Sequence, residues 1–289
     1  GRCFLADRSS VDMTALGAVV ADIGARAERD DAPRGFIAEM YAPRDERAIL
    51  PGERAFYTPA NARRLDAYRQ LVETAPAEYR DLLLGPLLSA ASVRANTAGV
   101  FKGFYKDRLT GVARFGGTGA DALPRITGPI RIEVPVLSRF SVPCEVFQED
   151  ANSLAARVGE FDLAYLDPPY NQHPYGSNYF LLNLLVDYRR PPVVSRVSGI
   201  PPDWNRSGYN VRSECRGLLR RLCADLRARF LLVSSNDEGF IPPAELRDLL
   251  ADHGRVETME IPYAAFRGSR NLGSRPLRVT EQLFLVEKR

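Results

Sequence analysis

Two consecutive prolines directly after an apolar segment limit the local structure of this chain more than any other feature. Residues 163–166 are apolar and predict a short strand, and residues 167–170 read Asp-Pro-Pro-Tyr. Each proline fixes its φ at about −65° and has no backbone N–H to donate to a sheet. The strand must therefore end at Asp167. The four residues from Asp167 to Tyr170, called here the proline turn, form a stiff turn that presents a carboxylate and bare carbonyl oxygens.

Strands and helices alternate from residue 144 onward, which is typical of an α/β fold. Such folds have a mixed, mostly parallel sheet with helices on both faces, and they bind ligands beyond the carboxyl ends of the strands. The predicted strands, including one at the start of the chain, cover residues 3–6, 144–148, 163–166, 230–234, 256–263 and 281–286. The predicted helices in this part cover residues 151–158, 178–188, 213–229 and 244–253. Asp7, Asp150 and Asp167 each follow a predicted strand, so we expect all three carboxylates at one edge of the sheet.

The first 130 residues have a mainly helical pattern. Apolar residues recur at helical spacing over residues 13–23, and a further helix is predicted over residues 79–98. Thr58 and Pro59 are the residue types that favour a helix N-cap and first turn. The polar, proline-containing residues 30–53 predict a loop.

This pattern predicts two parts of the chain. One is an α/β domain made of residues 1–32 and 131–289, and the other is a helical insertion over residues 33–130. Of the 289 residues, 45% are apolar, which is enough to bury the core of one large domain or two smaller ones.

Several classes of protein are excluded by composition. No apolar run approaches the ~20 residues that a membrane helix needs, and the first residues do not resemble a signal peptide. We therefore expect a soluble, cytoplasmic protein with no membrane partner. The four cysteines are too far apart for a metal site or a disulfide framework, so we expect free thiols and no metal.

Arginine strongly outnumbers lysine, since only three of the 39 basic residues are lysine. The planar guanidinium group binds phosphates and base edges well, which favours a nucleic-acid partner. A GC-rich coding sequence explains the same bias without any partner. The arginines are dense in residues 189–230 and 264–280, and we interpret these segments as candidate phosphate-facing surfaces.

The chemistry of the proline turn suits an exocyclic amino group on a flat ring. The lone pair of a nucleobase amino group is delocalised into the ring, so its nitrogen is a poor nucleophile. Two acceptors that hold the amino hydrogens draw the nitrogen toward sp³ geometry and free the lone pair. Tyr170 can stack on the ring, although a base in a duplex must first be displaced from the helix.

In these residues the sequence resembles the amino-methylating DNA methyltransferases that use S-adenosylmethionine, specifically the adenine-N6 enzymes of the D12 class. The similarity continues through residues 171–179 and 235–239. It implies a class I, Rossmann-like methyltransferase sheet with a helical insertion that helps to choose the DNA sequence. The implied partners are double-stranded DNA and, in a restriction-modification system, a cognate endonuclease; a solitary methylase is the other implied setting.

The resemblance also implies roles for single residues. Asp167 and the carbonyl of Pro168 hold the target amino group, Pro169 completes the motif, and Tyr170 stacks on the displaced adenine. The alternative explanation of the same four residues is a proline turn after a buried strand, with no catalytic role.

For the methyl donor, the resemblance implies that Asp150, with Ala151, contacts its adenine and that Asp7 binds its ribose hydroxyls. Aspartates at such positions also cap helices, which is the alternative reading of both acids. The family's glycine-rich strand should precede Asp7, but only six residues do, so we expect this sequence to lack it. Residues 115–119 match the glycine pattern, but they follow no apolar strand and are interpreted as a loop.

Candidate DNA contacts come from the same resemblance and from a loop rich in glycine and arginine over residues 266–275. They are Lys102, Tyr175, Asn178, Arg267, Arg270, Asn271 and Arg275. Solvated surface positions are the alternative explanation for Lys102 and for this loop.

Two other functions fit the sequence. The same motif occurs in enzymes that methylate cytosine N4 or guanine N2 of RNA, which keeps the chemistry and changes the base. A non-catalytic DNA-binding remnant is the third hypothesis, because the glycine-rich strand is missing.

Overall fold

The computed structural model describes residues 1–29, 31–117, 121–264 and 278–289. Its helices are α1 (Arg2–Leu5), α2 (Met13–Ala27), α3 (Phe36–Tyr41), α4 (Pro59–Thr74), α5 (Ala77–Arg94), α6 (Leu123–Thr127), α7 (Ala151–Ala155), α8 (Tyr175–Asn178), α9 (Phe180–Asp187), α10 (Arg212–Asp225) and α11 (Pro243–Ala251). Its strands are β1 (Phe161–Leu166), β2 (Ala228–Asn236), β3 (Gly254–Ala264) and β4 (Arg278–Lys288). Short 3₁₀ turns cover Arg8–Ser10 and Gly208–Asn210.

The chain divides into two compact units. A helical unit contains residues 1–146 and 176–204, and a sheet unit contains residues 147–175 and 205–289. Each unit has its own hydrophobic core. These bounds differ from the predicted insertion over residues 33–130.

The helical unit is centred on α4 and α5. As predicted, Thr58 caps α4 by accepting a hydrogen bond from the backbone N–H of Asn61, and Pro59 occupies the first turn. Leu65 and Tyr68 of α4 face a core in which aromatic rings meet edge to face, at a tilt or stacked. The buried aromatic residues of this core are Phe36, Tyr41, Phe56, Tyr57, Tyr68, Phe101, Phe104 and Phe180.

In the sheet unit, the strand order is β1-β2-β4-β3. β1 and β2 are parallel, whereas β4 is antiparallel to both β2 and β3. Helices α7, α10 and α11 pack on one face, where Leu231, Val233 and Phe284 are buried. The other face carries exposed apolar side chains, among them Tyr165 and Met259.

The mixed α/β class is confirmed, but two predicted details of the sheet are not confirmed by the described residues. Two of its three strand pairings are antiparallel, because β4 lies between β2 and β3 and runs against both. Helices of the sheet unit cover one face instead of two, since the face with Tyr165 and Met259 is exposed in the described residues.

Two predicted strands are absent from the described residues. Residues 3–6 lie mostly in helix α1, where Cys3 is buried beside Gly85 of α5 while Phe4 and Leu5 are exposed. Residues 144–148 are irregular and exposed. Neither segment has a ladder partner, and an apolar run without one does not form a strand.

The remaining predictions for secondary structure differ in smaller ways. The predicted loop over residues 30–53 contains helix α3, which Gly35 precedes. The predicted strands at 163–166, 230–234, 256–263 and 281–286 are confirmed, with longer bounds. None of the helices among the described residues is long and apolar enough to cross a membrane.

Candidate active site

The proline turn starts where β1 ends, beside a strand that continues past it. Leu166, the last residue of β1, is buried and pairs with Val233 of β2. β2 runs on to Asn236, so its last three residues lie beyond the end of β1. Because the two strands are parallel, their carboxyl ends share one edge of the sheet. Side chains of this β2 extension can therefore contact the turn.

A hydroxyl group holds the carboxylate of the turn. Ser234 Oγ donates to Asp167 Oδ1 across 2.9 Å, and it accepts from the hydroxyl of Tyr165 across 3.1 Å. The side chain of Asp167 is exposed. The carboxylate is thus oriented by a short relay of hydroxyl groups and remains open to a ligand.

The backbone of the turn is anchored on one side only. The carbonyl oxygen of Tyr170 accepts from the N–H of Phe240 across 2.7 Å, and the next carbonyl accepts from Asn210 Nδ2, also across 2.7 Å. By contrast, the carbonyl oxygens of Pro168 and Pro169 accept no hydrogen bond from the described residues. The turn therefore presents acceptors without donors, as its sequence predicts.

Tyr170 places an aromatic ring next to these acceptors. The ring is half-buried, and burial raises the pKa of its hydroxyl to about 12, with the nearby acid Glu281 adding to the shift. The side chain is therefore neutral at physiological pH. A neutral ring beside acceptor oxygens can stack on a flat, amino-bearing ring.

The space behind the two prolines is small. Pro168, Pro169, Tyr209 and Phe240 line an apolar cavity of about 30 Å³, which is about the room of a single water molecule. Cys215 also lines it, and burial raises the pKa of this thiol. The cavity is too small for an aromatic ring, so a ligand of the turn must approach from its exposed side.

Asp150 begins a helix and does not end a strand. Its Oδ1 accepts a hydrogen bond from the backbone N–H of Ser153 across 2.9 Å, which caps α7. Its side chain is exposed, as is Ala151 in the first turn. The cap uses one carboxylate oxygen, and the other accepts nothing from the described residues.

Asp7 also caps a turn, in the helical unit. Its Oδ1 accepts from the backbone N–H and from the hydroxyl of Ser9, each across 2.8 Å. Hydrogen bonds from Ser141 and Ser9 lower the pKa of the Asp7 carboxyl. Asp7 pairs with Ser138 in an isolated parallel bridge outside the sheet, so the predicted strand end is wrong. The lowered pKa keeps its carboxylate ionised.

Two predicted DNA contacts lie together in the helical unit. The N–H of Phe101 donates to the carbonyl of Asn178 across 2.6 Å, which brings the adjacent Lys102 to the end of α8. Lys102 is exposed, its carbonyl accepts from the hydroxyl of Ser198, and partial burial lowers the pKa of its amine. Asn178 is only 8% exposed, and its Oδ1 has no partner among the described residues. Tyr175 is exposed and lies in the sheet unit.

Other predicted residues lie wholly or partly outside the described ranges. Arg267, Arg270, Asn271 and Arg275 lie outside the described residues. Of the glycine-rich residues 115–119, the first three form a turn in which Gly116 N–H donates to buried Asn96. This turn follows no strand of the sheet.

The residues that hold the turn were not predicted from the sequence. Ser234, Asn236 and Phe240 contact it, yet only the similarity over residues 235–239 pointed to this region, without any role. The signal was the polar end of a strand that would otherwise be apolar. Among the described residues, no group of three or more His, Cys, Asp or Glu side chains is arranged to hold a metal ion.

Residues 131–193 match the family described as D12 class N6 adenine-specific DNA methyltransferase. The matched residues contain the whole proline turn. The resemblance to the D12 class is confirmed. Asp150, Tyr175 and Asn178 also lie within the residues that match the D12 class, whereas Asp7 and Lys102 lie outside them.

Relatives of this chain carry methyltransferase names. It is 29% identical to the type II methyltransferase M.CviAII of Paramecium bursaria Chlorella virus 1, over 81% of this chain and 64% of that protein. It is 28% identical to the type II methyltransferase M.NlaIII of Neisseria lactamica, over 82% of this chain and 68% of that protein. It is 26% identical to the type II methyltransferase M.FokI of Planomicrobium okeanokoites, over 88% of this chain and 37% of that protein. The chain thus spans from about two thirds to about a third of their lengths. No solved structure matches it.

Proposed function

We propose that this chain transfers a methyl group from S-adenosylmethionine to the N6 amino group of an adenine displaced from double-stranded DNA. The observation that carries the proposal is the proline turn, which combines acceptor oxygens and a neutral aromatic ring at the carboxyl end of β1. The turn lies within the residues that match the adenine-specific family.

The proposed mechanism uses the turn to activate a weak nucleophile. Asp167 and the carbonyl of Pro168 accept the two N6 hydrogens, while Pro169 keeps the turn rigid and Tyr170 stacks on the base. This arrangement frees the nitrogen lone pair for direct attack on the methyl carbon of the donor, whose bond to sulfur would break with its electron pair left on sulfur, with no covalent enzyme intermediate. The proton that N6 loses can pass through the exposed carboxylate of Asp167 to water.

S-adenosylmethionine supplies a methyl group made electrophilic by its sulfonium sulfur. We propose that Asp150, with Ala151, contacts the adenine of this donor and that Asp7 binds its ribose hydroxyls. The donor chemistry fits these residues, because Asp150 keeps one carboxylate oxygen open and hydrogen bonds keep Asp7 ionised. We also infer a class I, Rossmann-like sheet, which the parallel pair β1–β2 and the position of the turn at its carboxyl edge support.

The DNA would be held by basic and polar residues. We propose that residues 33–130 contribute to target recognition and that Arg267, Arg270, Asn271 and Arg275 contact the duplex. Lys102, which is exposed beside the buried Asn178, supports a contact surface in the helical unit. Since relatives carry the name type II methyltransferase, we propose that this chain belongs to a restriction-modification system with a cognate endonuclease.

The test is methyl transfer from labelled S-adenosylmethionine to unmethylated genomic DNA, with mass spectrometry of the nucleosides. We expect N6-methyladenine, and a loss of roughly hundredfold or more in the Asp167→Ala variant. Asp162→Ala is the matched control, because it removes another exposed carboxylate from the start of the same strand and should leave the rate unchanged.

Three results would contradict the proposal. N4-methylcytosine as the product would keep the chemistry and change the base. If the unaltered protein produced no methylated base, this chain would not have the proposed activity. Equal rates for Asp167→Ala and Asp162→Ala would show that the proline turn does not carry the reaction.

A further inference from the structure

Asn236 is buried at the end of β2 and uses its whole side chain in hydrogen bonds. It is 4% exposed. Its Nδ2 lies 3.1 Å from the hydroxyl of Tyr170 and 3.4 Å from Oε1 of Glu281, and its Oδ1 lies 3.0 Å from the backbone nitrogen of Glu238. The side chain therefore joins the proline turn to β4 and to the loop after β2.

The backbone contact determines which way the amide group faces. The N–H of Glu238 can only donate, so it requires the carboxamide oxygen of Asn236. The NH₂ group must then point at Tyr170 and Glu281. The carboxylate of Glu281 can only accept, which requires the same orientation. Asn236 is therefore the donor, and the hydroxyl oxygen of Tyr170 accepts.

Tyr170 is consequently held at both ends. Its carbonyl accepts from the N–H of Phe240 across 2.7 Å, which anchors the backbone. Asn236 anchors the hydroxyl at the far end of the ring, and a swing of the ring axis about the Cα–Cβ bond would break that hydrogen bond. Ser234, two residues earlier on β2, binds Asp167 in the same way.

We propose that Asn236 is a positioning residue that fixes the direction in which the Tyr170 ring extends, and so its position for stacking on the displaced base. This inference rests on the proposed function. It adds that the part of β2 that extends past β1 positions the proline turn through its side chains. Asn236 acts through the hydroxyl of Tyr170 and touches neither the base nor the methyl donor.

The test is a double-mutant cycle with Asn236→Ala, Tyr170→Phe and the two combined. Tyr170→Phe keeps the ring and removes only the oxygen that Asn236 binds. We expect each single variant to lose roughly three- to tenfold in kcat/KM. The combined variant should lose no more than the larger single loss, because both changes break the same hydrogen bond. Tyr263→Phe, which removes the hydroxyl of an exposed tyrosine on β3, is the control and should keep the full rate.

A second readout follows the base itself. In DNA with 2-aminopurine at the target adenine, stacking on Tyr170 quenches the fluorescence of the displaced base. We expect both single variants to bind this DNA and to quench it less than the unaltered protein does. Thermal unfolding of each variant shows whether the fold is kept, and Tyr170→Phe still decides the question if Asn236→Ala unfolds.

Losses that multiply in the combined variant would overturn the inference, since Asn236 would then act only on the loop that Glu238 begins. An unchanged rate and unchanged quenching in Tyr170→Phe would also overturn it. The proposed function fails separately, if the unaltered protein makes no N6-methyladenine. The two failures are therefore distinguishable.

Discussion

Replacing Asp66 by alanine should strongly destabilise the helical unit. Asp66 lies on α4 with no solvent exposure. Its Oδ1 accepts from the N–H of Ile37 across 3.1 Å and from the hydroxyl of Tyr188 across 2.6 Å, and its Oδ2 accepts from the N–H of Ala38 across 2.8 Å. One carboxylate thus accepts hydrogen bonds from two N–H groups in the first turn of α3 and from the hydroxyl of the residue that follows α9.

The size of the effect follows from these three contacts. A buried donor left without a partner costs about 1–3 kcal/mol. Ile37 is buried, whereas Ala38 is partly exposed, and Tyr188 keeps a second hydrogen bond from Gln70. The alanine variant also no longer buries a carboxylate, which offsets part of the loss. We expect a net decrease of about 3–5 kcal/mol in the free energy of unfolding.

Urea unfolding followed by circular dichroism measures this difference. Asp22→Ala is the control, because it removes an exposed carboxylate whose only described ion pair is with Arg26, and such pairs contribute about 0.5 kcal/mol or less. The reasoning is refuted if the free energy of unfolding of Asp66→Ala differs from that of the unaltered protein by less than about 1 kcal/mol, the contribution of one hydrogen bond.

Three further predictions concern the same network and the turn. Burial raises the pKa of the Asp66 carboxyl above its ordinary value of 3.8, so folding takes up a proton between that value and the raised one. The free energy of unfolding should therefore fall as the pH rises from about 3.8 through the raised pKa. Urea titrations at several pH values measure this slope, which Asp66→Asn should lack. Gly35→Ala should cost about 1–3 kcal/mol in thermal unfolding, because the added Cβ would lie 2.6 Å from Asp66 Oδ1 and against the Tyr188 hydroxyl. Ser234→Ala should lower the methyl-transfer rate roughly three- to tenfold with an unchanged melting temperature, because Asp167 loses the hydroxyl that orients it.

Local sequence was enough to predict the elements that carry their own signals. Thr58 and Pro59 specify the start of α4 through side-chain chemistry alone. The proline turn is predictable for the same reason, because two prolines end a strand wherever it lies. The predicted strands at 163–166 and 230–234 are apolar runs that pair with each other, and both are confirmed.

What could not be predicted depends on contacts between distant residues. Residues 144–148 are as apolar as many strands, but no neighbour pairs with them in the described residues. The roles of Ser234 and Asn236 follow from the register in which Leu166 pairs with Val233, and no local pattern contains that register. A shift of one residue would turn both polar side chains to the other face of the sheet.

The dependence of the proline turn on β2 also affects how the protein is synthesised. Ser234 follows Asp167 by 67 residues, and the contacts of Asn236 and Phe240 with the turn span similar separations. A ribosome-bound chain that already exposes residues 167–170 still lacks every one of these contacts. Such long-range contacts form late and slowly in folding. The carboxylate and carbonyl oxygens of the turn therefore take up their final positions only after β2 has been synthesised and has paired with β1. A chain released before that point would contain residues 167–170 without the contacts that position them.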